Sequence, residues 1–244
     1  GCELAVGPMD GNTWRNYRLI TGGAPNKRFL FEPDHPCPCA DHFASAGFSV
    51  LAKYSSAVCD NLGLRDQRAD RIANHFADLG IQIRSLSRHH MESDLKAIYE
   101  ITVEAFQNAL LFHPIDFPSF RTQVQPLIEC IDPQWILLAQ QNDEVVGFVF
   151  GTPDLLQAAN IPAVKDGTPL IDTAILKTLA VLPRRGLAGL GMLLLQRFHD
   201  RARELGYCKV IHALMHDQNG LVRSLSSRSA KPLRHYALFA KELN

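Results

Sequence analysis

Apolar and polar positions along the second two-thirds of the chain repeat with two distinct periods. Residues 81–86, Ile-Gln-Ile-Arg-Ser-Leu, alternate with a period of two and predict a half-buried strand. Residues 92–107 place Leu95, Ile98, Val103 and Phe106 on a helical period, with Ser93 or a neighbour as cap. His113-Pro114 breaks the chain, and residues 117–130 predict a second helix with Pro118 early, where a helix tolerates it. Strands follow at 135–139 and 145–150, joined by Gln141-Asn142-Asp143-Glu144, a hairpin turn in composition. Residues 151–170 carry Pro153, Pro162, Gly167 and Pro169 and read as a surface excursion. The next strand spans 174–182. A helix over 190–205 turns Leu190, Leu194, Phe198 and Leu205 inward and Arg197, Asp200, Arg203 and Glu204 to water, and Gly206 stops it. A strand at 209–215, a weakly helical stretch at 219–229 and a strand at 234–243 complete the order β-α-α-β-β-β-α-β-α-β. Hairpins mixed with crossovers predict an α/β fold with a mixed, mostly antiparallel twisted sheet flanked by helices.

The first eighty residues are organised differently. Residues 2–8 read as a strand entering a loop at 9–14, and residues 40–48 as a short helix before a strand at 49–58. Residues 61–79 read as a charged connector helix, so the division expected is 1–80 and 81–244.

Composition narrows the class. Hydrophobic residues make up 46% and charged residues 20%, as in an ordinary globular protein with a sizeable core. Lys plus Arg and Asp plus Glu balance at 25 each, so no net field steers the chain to nucleic acid or an anionic membrane. No apolar run reaches the roughly 18 residues of a membrane span, and no charged-then-apolar leader is seen. Six scattered cysteines form no disulfide framework, and a cytoplasmic protein with reduced thiols is the expectation. His35, Cys37, Cys39 and His42 lie close in sequence, but the intervening prolines restrict their convergence; a surface turn without metal is the expectation.

The chemistry concentrates at residues 179–195, where a strand ends in Pro183, two arginines follow, and Gly186, Gly189 and Gly191 lead into a helix. Free N–H groups at a helix start, the macrodipole and small residues together make an anion site that a diphosphate can approach closely. A tight turn would also use glycine there. The loop has no Walker lysine with serine or threonine, and it comes too late in the chain for a dinucleotide fingerprint.

Strand, proline, arginine, glycines, a Leu-rich helix, then Glu204-Leu205-Gly206-Tyr207 and a further strand resemble the cofactor region of the GCN5-related N-acetyltransferases. The resemblance covers about residues 81–243. It implies acetyl-coenzyme A as co-substrate, with Leu179, Ala180 and Val181 pairing with the pantetheine arm. The N–H groups of Arg184, Arg185, Gly186, Leu187, Ala188, Gly189, Leu190 and Gly191 would hold the pyrophosphate, and Asn219 would lie near the cofactor. Two departures stand out. Gly186 occupies the place of the family's basic residue, with Arg185 one step early, and residues 221–229 lack the tyrosine that many members use as general acid. Ser226, Ser227 or Tyr236 could donate instead. The sequence of residues 40–58, helix, Gly-Phe, strand, also resembles the family's ending. The first third is then either a partial, degenerate acetyltransferase-like unit or an unrelated extension.

Acyl transfer by direct attack needs a base for the amine proton, and Glu104, Asp172, His212 and His216 are the candidates. Alternation puts His212 on the same face as Leu214, which favours a buried, hydrogen-bonded core residue over a base. The reading is an acyl-CoA-dependent N-acyltransferase acting on a primary amine of a small molecule or protein, with no nucleic-acid or membrane partner; a homodimer is compatible with it. A non-catalytic acyl-CoA-binding module and, third, a nucleotide-phosphate enzyme are the alternatives. Phe106, Phe112, Phe117 and Phe120 suggest apolar walls for an acceptor pocket.

Overall fold

The computed structural model describes residues 1–23, 28–35, 38–64, 69–160, 171–218 and 230–243. Its strands are β1 (Leu4–Gly7), β2 (Leu19–Gly23), β3 (Ser49–Cys59), β4 (Ile81–Ser85), β5 (Ile136–Gln141), β6 (Glu144–Pro153), β7 (Thr173–Val181), β8 (Lys209–His216) and β9 (Ala230–Glu242). Its helices are α1 (Cys39–Ser45), α2 (Ala69–Asp78), α3 (Met91–Phe106), α4 (Phe117–Cys130), α5 (Leu155–Asn160) and α6 (Leu190–Glu204).

The strands form one sheet in the order β1-β9-β3-β8-β7-β6-β5-β4, with β2 also paired to β9. Only β7 and β8 pair in parallel among the described strands. This is the mixed, mainly antiparallel α/β architecture expected from the alternation of hairpins and crossovers. The strands of the first eighty residues join the same sheet: β3 lies between β8 and β9 and pairs with both.

The core forms where α6 crosses the sheet. Leu190, Leu194 and Phe198 of α6 are fully buried together with Leu138, Val146 and Val149 of the strands beneath. Gly151 makes this approach possible, since a Cβ there would lie 2.2 Å from the Phe198 ring and 2.4 Å from the Ile175 carbonyl oxygen. α3 packs on β6 and β7. α4 starts where Asp116 accepts a hydrogen bond from the Ser119 N–H at 2.7 Å, with Pro118 in its first turn.

Several boundaries differ from the periodic pattern. Trp135 belongs to a 3-10 turn (Pro133–Trp135) rather than to a strand, and its ring is buried against Phe198 and Tyr207. β6 runs on to Pro153 and α5 follows, so part of the expected excursion is regular. The helix read over 61–79 is helical only from Ala69 among the described residues. On α6, Asp200 is 6% exposed whereas Leu205, expected inside, is 38% exposed. Asp200 is held there by Gln196 and Arg203 on its own helix. The helix predicted at 219–229 lies outside the described residues.

Candidate active site

Two strand irregularities at one level open the sheet. The parallel register of β7 and β8 ends at Leu176–His212, yet β7 continues along β6 as far as Val181–Gly147. Lys177 is the extra residue of a bulge in β7, between the pairs Leu176–Gly151 and Thr178–Phe150. On β8 the register against β3 shifts between His212 and Met215, and Leu214 takes a left-handed φ of 57°. Its N–H donates to Ser56 Oγ at 2.9 Å, and its carbonyl accepts from Arg18 Nη1 at 2.7 Å. Side chains therefore satisfy the polar groups that the ladder would otherwise have taken. Beyond Leu176 the backbone edge of β7 facing β8 is left unpaired by the described residues.

A cavity of about 1490 Å³ occupies this opening, larger than the roughly 300–1,000 Å³ of an ordinary small-molecule site. Along its floor run Leu176 to Arg184, and beyond them Leu187, Ala188, Gly189 and Gly191. Val181 leads through Pro183 into a 3-10 turn (Arg185–Leu187), and Gly189, with a left-handed φ of 96°, starts α6. A side chain is strained at that φ, so glycine is needed there. The N–H groups of Arg185, Gly186, Gly189, Leu190 and Gly191 have no backbone acceptor among the described residues. They make a patch of free donors at the positive end of the helix. A Cβ on Gly186 would meet nothing within 4 Å, so the loop is open to solvent there. Of the predicted loop residues, Arg185, Gly186 and Leu190 do not line the cavity wall. Arg184 is turned aside to Glu144, with a bidentate ion pair at 2.7 and 2.8 Å that raises the Arg184 pKa and lowers that of Glu144. Arg185 is exposed and has no ion pair with a described residue.

The predicted acid–base residues are scattered. Glu104 is exposed on α3 outside the cavity wall, where its charge is felt by Arg184. Asp172 is taken up by Lys209 at 2.7 Å and by Thr173 and Gln157. His216 lines the cavity edge-on to Tyr54. His212, 2% exposed, sits where β7 and β8 part, with Nε2 2.8 Å from His199 Nε2 and Nδ1 without a partner among the described residues. Burial pushes both imidazoles below the usual histidine range. Tyr236 is 1% exposed and does not line the cavity; its hydroxyl donates to Glu32 at 2.7 Å and contacts Ser56 at 3.0 Å. Asn219, Ser226 and Ser227 lie outside the described residues, as does Cys37. Of the histidine–cysteine cluster, His35 accepts a hydrogen bond from the Ile20 N–H at 2.7 Å. Among the described residues no group of three or more His, Cys, Asp or Glu is placed to hold a metal ion.

Sequence reasoning missed two cavity residues. Lys177 projects from the β7 bulge and has no hydrogen bond or ion pair with a described residue; burial, and secondarily Arg18, bring its pKa down to about 7. Arg18 is 6% exposed, with its guanidinium 3.9 Å from the Tyr17 ring centroid and 4.1 Å from that of Tyr54. Neither was legible, because an isolated cation in a strand or loop looks like a solvated one. The N-terminal segment also supplies Trp14, Tyr17 and Phe31 to the cavity, opposite Phe106, Phe112 and Phe120. Phe117 is not in the wall; it packs on Tyr99 and Phe120.

A scan against protein-family models finds no match, and a search of curated proteins finds none. Solved structures do match. A GCN5-related N-acetyltransferase from Sphaerobacter thermophilus aligns with TM-score 0.55 and 19% identity over 84% of this chain and 56% of its own. A GCN5-related glucosamine N-acetyltransferase region of a fungal multi-domain GH3 β-N-acetylglucosaminidase aligns with TM-score 0.58 and 16% identity over 90% of this chain and 25% of its own. A tandem GNAT protein from the clavulanic acid biosynthesis pathway aligns with TM-score 0.52 and 14% identity over 92% of this chain and 62% of its own. The chain therefore has the GCN5-related N-acetyltransferase fold and spans less than two-thirds of the length of each of these matched chains.

Proposed function

We propose that this protein is an acyl-coenzyme A-dependent N-acyltransferase that transfers an acetyl group to a primary amine by direct attack. The observation that carries the reading is the unpaired edge of β7 beyond Leu176, which runs into a loop of free N–H donors at the start of α6. An extended amide-bearing arm can add to that edge as a strand would, through Leu179, Ala180 and Val181. The donors from Arg185 to Gly191 suit the diphosphate that follows, with Arg185 as the mobile charge. Acyl-CoA supplies the activated thioester. The amine nitrogen forms its bond to the acyl carbon, the carbon–sulfur bond breaks, and the thiolate leaves with the bonding pair. The amine must lose a proton on the way. Lys177 is the cavity base best matched to neutral pH, since a base works best with its pKa near the working pH. His212 is held neutral but is a weak base, because burial disfavours its charged form.

Thermal stabilisation by coenzyme A and acetyl-CoA tests the reading directly. Ligand at 100 times its Kd adds about 2.7 kcal/mol to stability. Gly186→Glu places a carboxylate at the diphosphate loop in a position where a Cβ meets no atom. The variant should keep its unliganded melting temperature and lose the coenzyme A shift. An undiminished shift in Gly186→Glu would remove the loop from the binding site, and with it this reading.

A non-catalytic acyl-CoA-binding module is the second reading. It is favoured by Tyr236, whose hydroxyl is committed to Glu32 and Ser56 away from the cavity. Release of free coenzyme A in a screen of primary amines would rule it out.

A further inference from the structure

Burying a cation without a counter-charge costs several kcal/mol, so proteins supply an acid or leave room for an anion. Arg18 has no acid. It donates Nε to the Tyr17 carbonyl and Nη1 to the Leu214 carbonyl, both neutral acceptors, and forms no ion pair with a described residue. Glu32, a buried carboxylate of the same N-terminal segment, is already paired with Arg234 at 2.9 Å and accepts from Tyr236. Beside the Tyr17 hydroxyl, Nη2 makes no hydrogen bond with the described residues, yet it is not fully buried, so protein does not seal it from the cavity that Arg18 lines. Lys177, also in the wall, has no acid partner among the described residues. Asp10, exposed at the rim, is the one acidic residue among the described residues of the wall. The guanidinium lies over the rings of both Tyr17 and Tyr54, which meet edge-on with centroids 5.8 Å apart, on a residue with φ of 103°, a conformation costly for a side-chain-bearing residue. Arg18 is thus fixed, unable to swing to solvent, with an unsatisfied face.

We infer that Arg18 is a carboxylate clamp for the acceptor, and that the acceptor is an amine bearing a carboxylate and an apolar group, of the amino-acid class. This rests on the acyltransferase reading above. The planar fork of Arg18 fits a carboxylate. Trp14, Phe31, Phe106, Phe112 and Phe120 supply the apolar wall. With its carboxylate on Arg18, the amine would face Lys177 and the open edge of β7. A carboxylate could also arrive on the acyl group of the co-substrate, and the test separates the two sources.

The full chain is titrated, in the presence of coenzyme A, with phenylalanine and leucine, with their N-acetyl derivatives, and with the matching amides. The acids should bind at least 10-fold tighter than the amides. In Arg18→Lys, which keeps the charge and loses the fork, that preference should fall about three-fold; in Arg18→Met it should vanish. The coenzyme A shift should persist in both variants. An Arg18 that only supported the Leu214 carbonyl would weaken acids and amides alike, which overturns the inference. So does equal binding of acids and amides by the wild-type protein, or binding of neither. A preference for succinyl-CoA over butyryl-CoA without acid–amide discrimination also overturns it and places the carboxylate on the acyl chain. Coenzyme A binding without carboxylate selectivity leaves the acyltransferase reading standing and sinks this one; carboxylate selectivity without coenzyme A binding does the reverse.

Discussion

Lys177 carries the most consequential side-chain chemistry of the cavity, and its physics makes two separable predictions. Its folded pKa, about 7, lies below the ordinary lysine value, so the neutral form is populated near neutrality. If neutral Lys177 takes the amine proton, turnover should climb as pH rises through about 7. Lys177→Met should lose that limb and about 100-fold in kcat, a typical general-base contribution, with the coenzyme A shift unchanged. A retained pH limb in the variant would give the role to another group. Stability should move the opposite way. Between about 7 and the unfolded value the unfolded chain binds the proton that the folded chain refuses, so wild-type stability rises with pH across that window. Removing the amine should therefore raise Tm by a few degrees at pH 7, a gain in stability alongside a loss of function. The histidine pair behaves alike on the acid side. His199 and His212 are buried neutral, with folded pKa values below the unfolded ~6.5. Stability should fall as pH drops below about 6.5, by up to ~1.4 kcal/mol per pH unit for each proton refused. Urea midpoints at pH 7.5 and 5 in the wild type and in a His199→Leu/His212→Leu variant measure this; equal acid loss in both would discharge the pair from it.

Elements were legible in the chain to the extent that their periodicity was local. α3 and α4 appear within a residue of the pattern because Leu95, Ile98 and the cap Asp116 act over one or two turns. The strand–loop–α6 unit was legible for the same reason: proline, glycine and a Leu-rich face follow one another without interruption. What stayed hidden is pairing over long sequence distances. Nothing in residues 49–59 announces that they slot between β8 and β9. The irregularity at Leu214 was equally hidden, because that residue is not a glycine that would mark it. Asp200 reads as a solvated helix position by charge alone, and its hydrogen bonds to Gln196 and Arg203 appear only in the structure. The candidate site divides the same way. Its loop was contiguous and readable, while the residues facing that loop come from the distant N-terminal segment.

At the scale of the whole molecule, that segment both completes the sheet and walls the cavity. Residues 9–17 form a small hairpin, closed by the Met9–Tyr17 bridge and by the Asp10 N–H donating to the Asn16 carbonyl at 2.9 Å. Trp14 fastens it to the helical side: its ring lies 5.4 Å from Phe112 and 5.8 Å from Phe120, and its indole N–H donates to the His113 carbonyl at 2.8 Å. Arg18 then follows directly into β2, so the anchor that Trp14 provides also fixes the approach to the guanidinium. The loop proposed to hold the diphosphate follows the far end of β7, and no hydrogen bond among the described residues joins it to this hairpin. Binding of the two substrates should therefore separate on mutation. Trp14→Ala removes a half-buried aromatic and one hydrogen bond, a loss of about 1–3 kcal/mol in stability. It should raise the acceptor KM by about 10-fold while the acetyl-CoA KM stays within about two-fold. Equal loss for both substrates would mean that the N-terminal segment supports the cavity as a whole. An unchanged acceptor KM would mean that the acceptor enters elsewhere, because a pocket walled by this hairpin cannot lose its main fastening and keep its affinity.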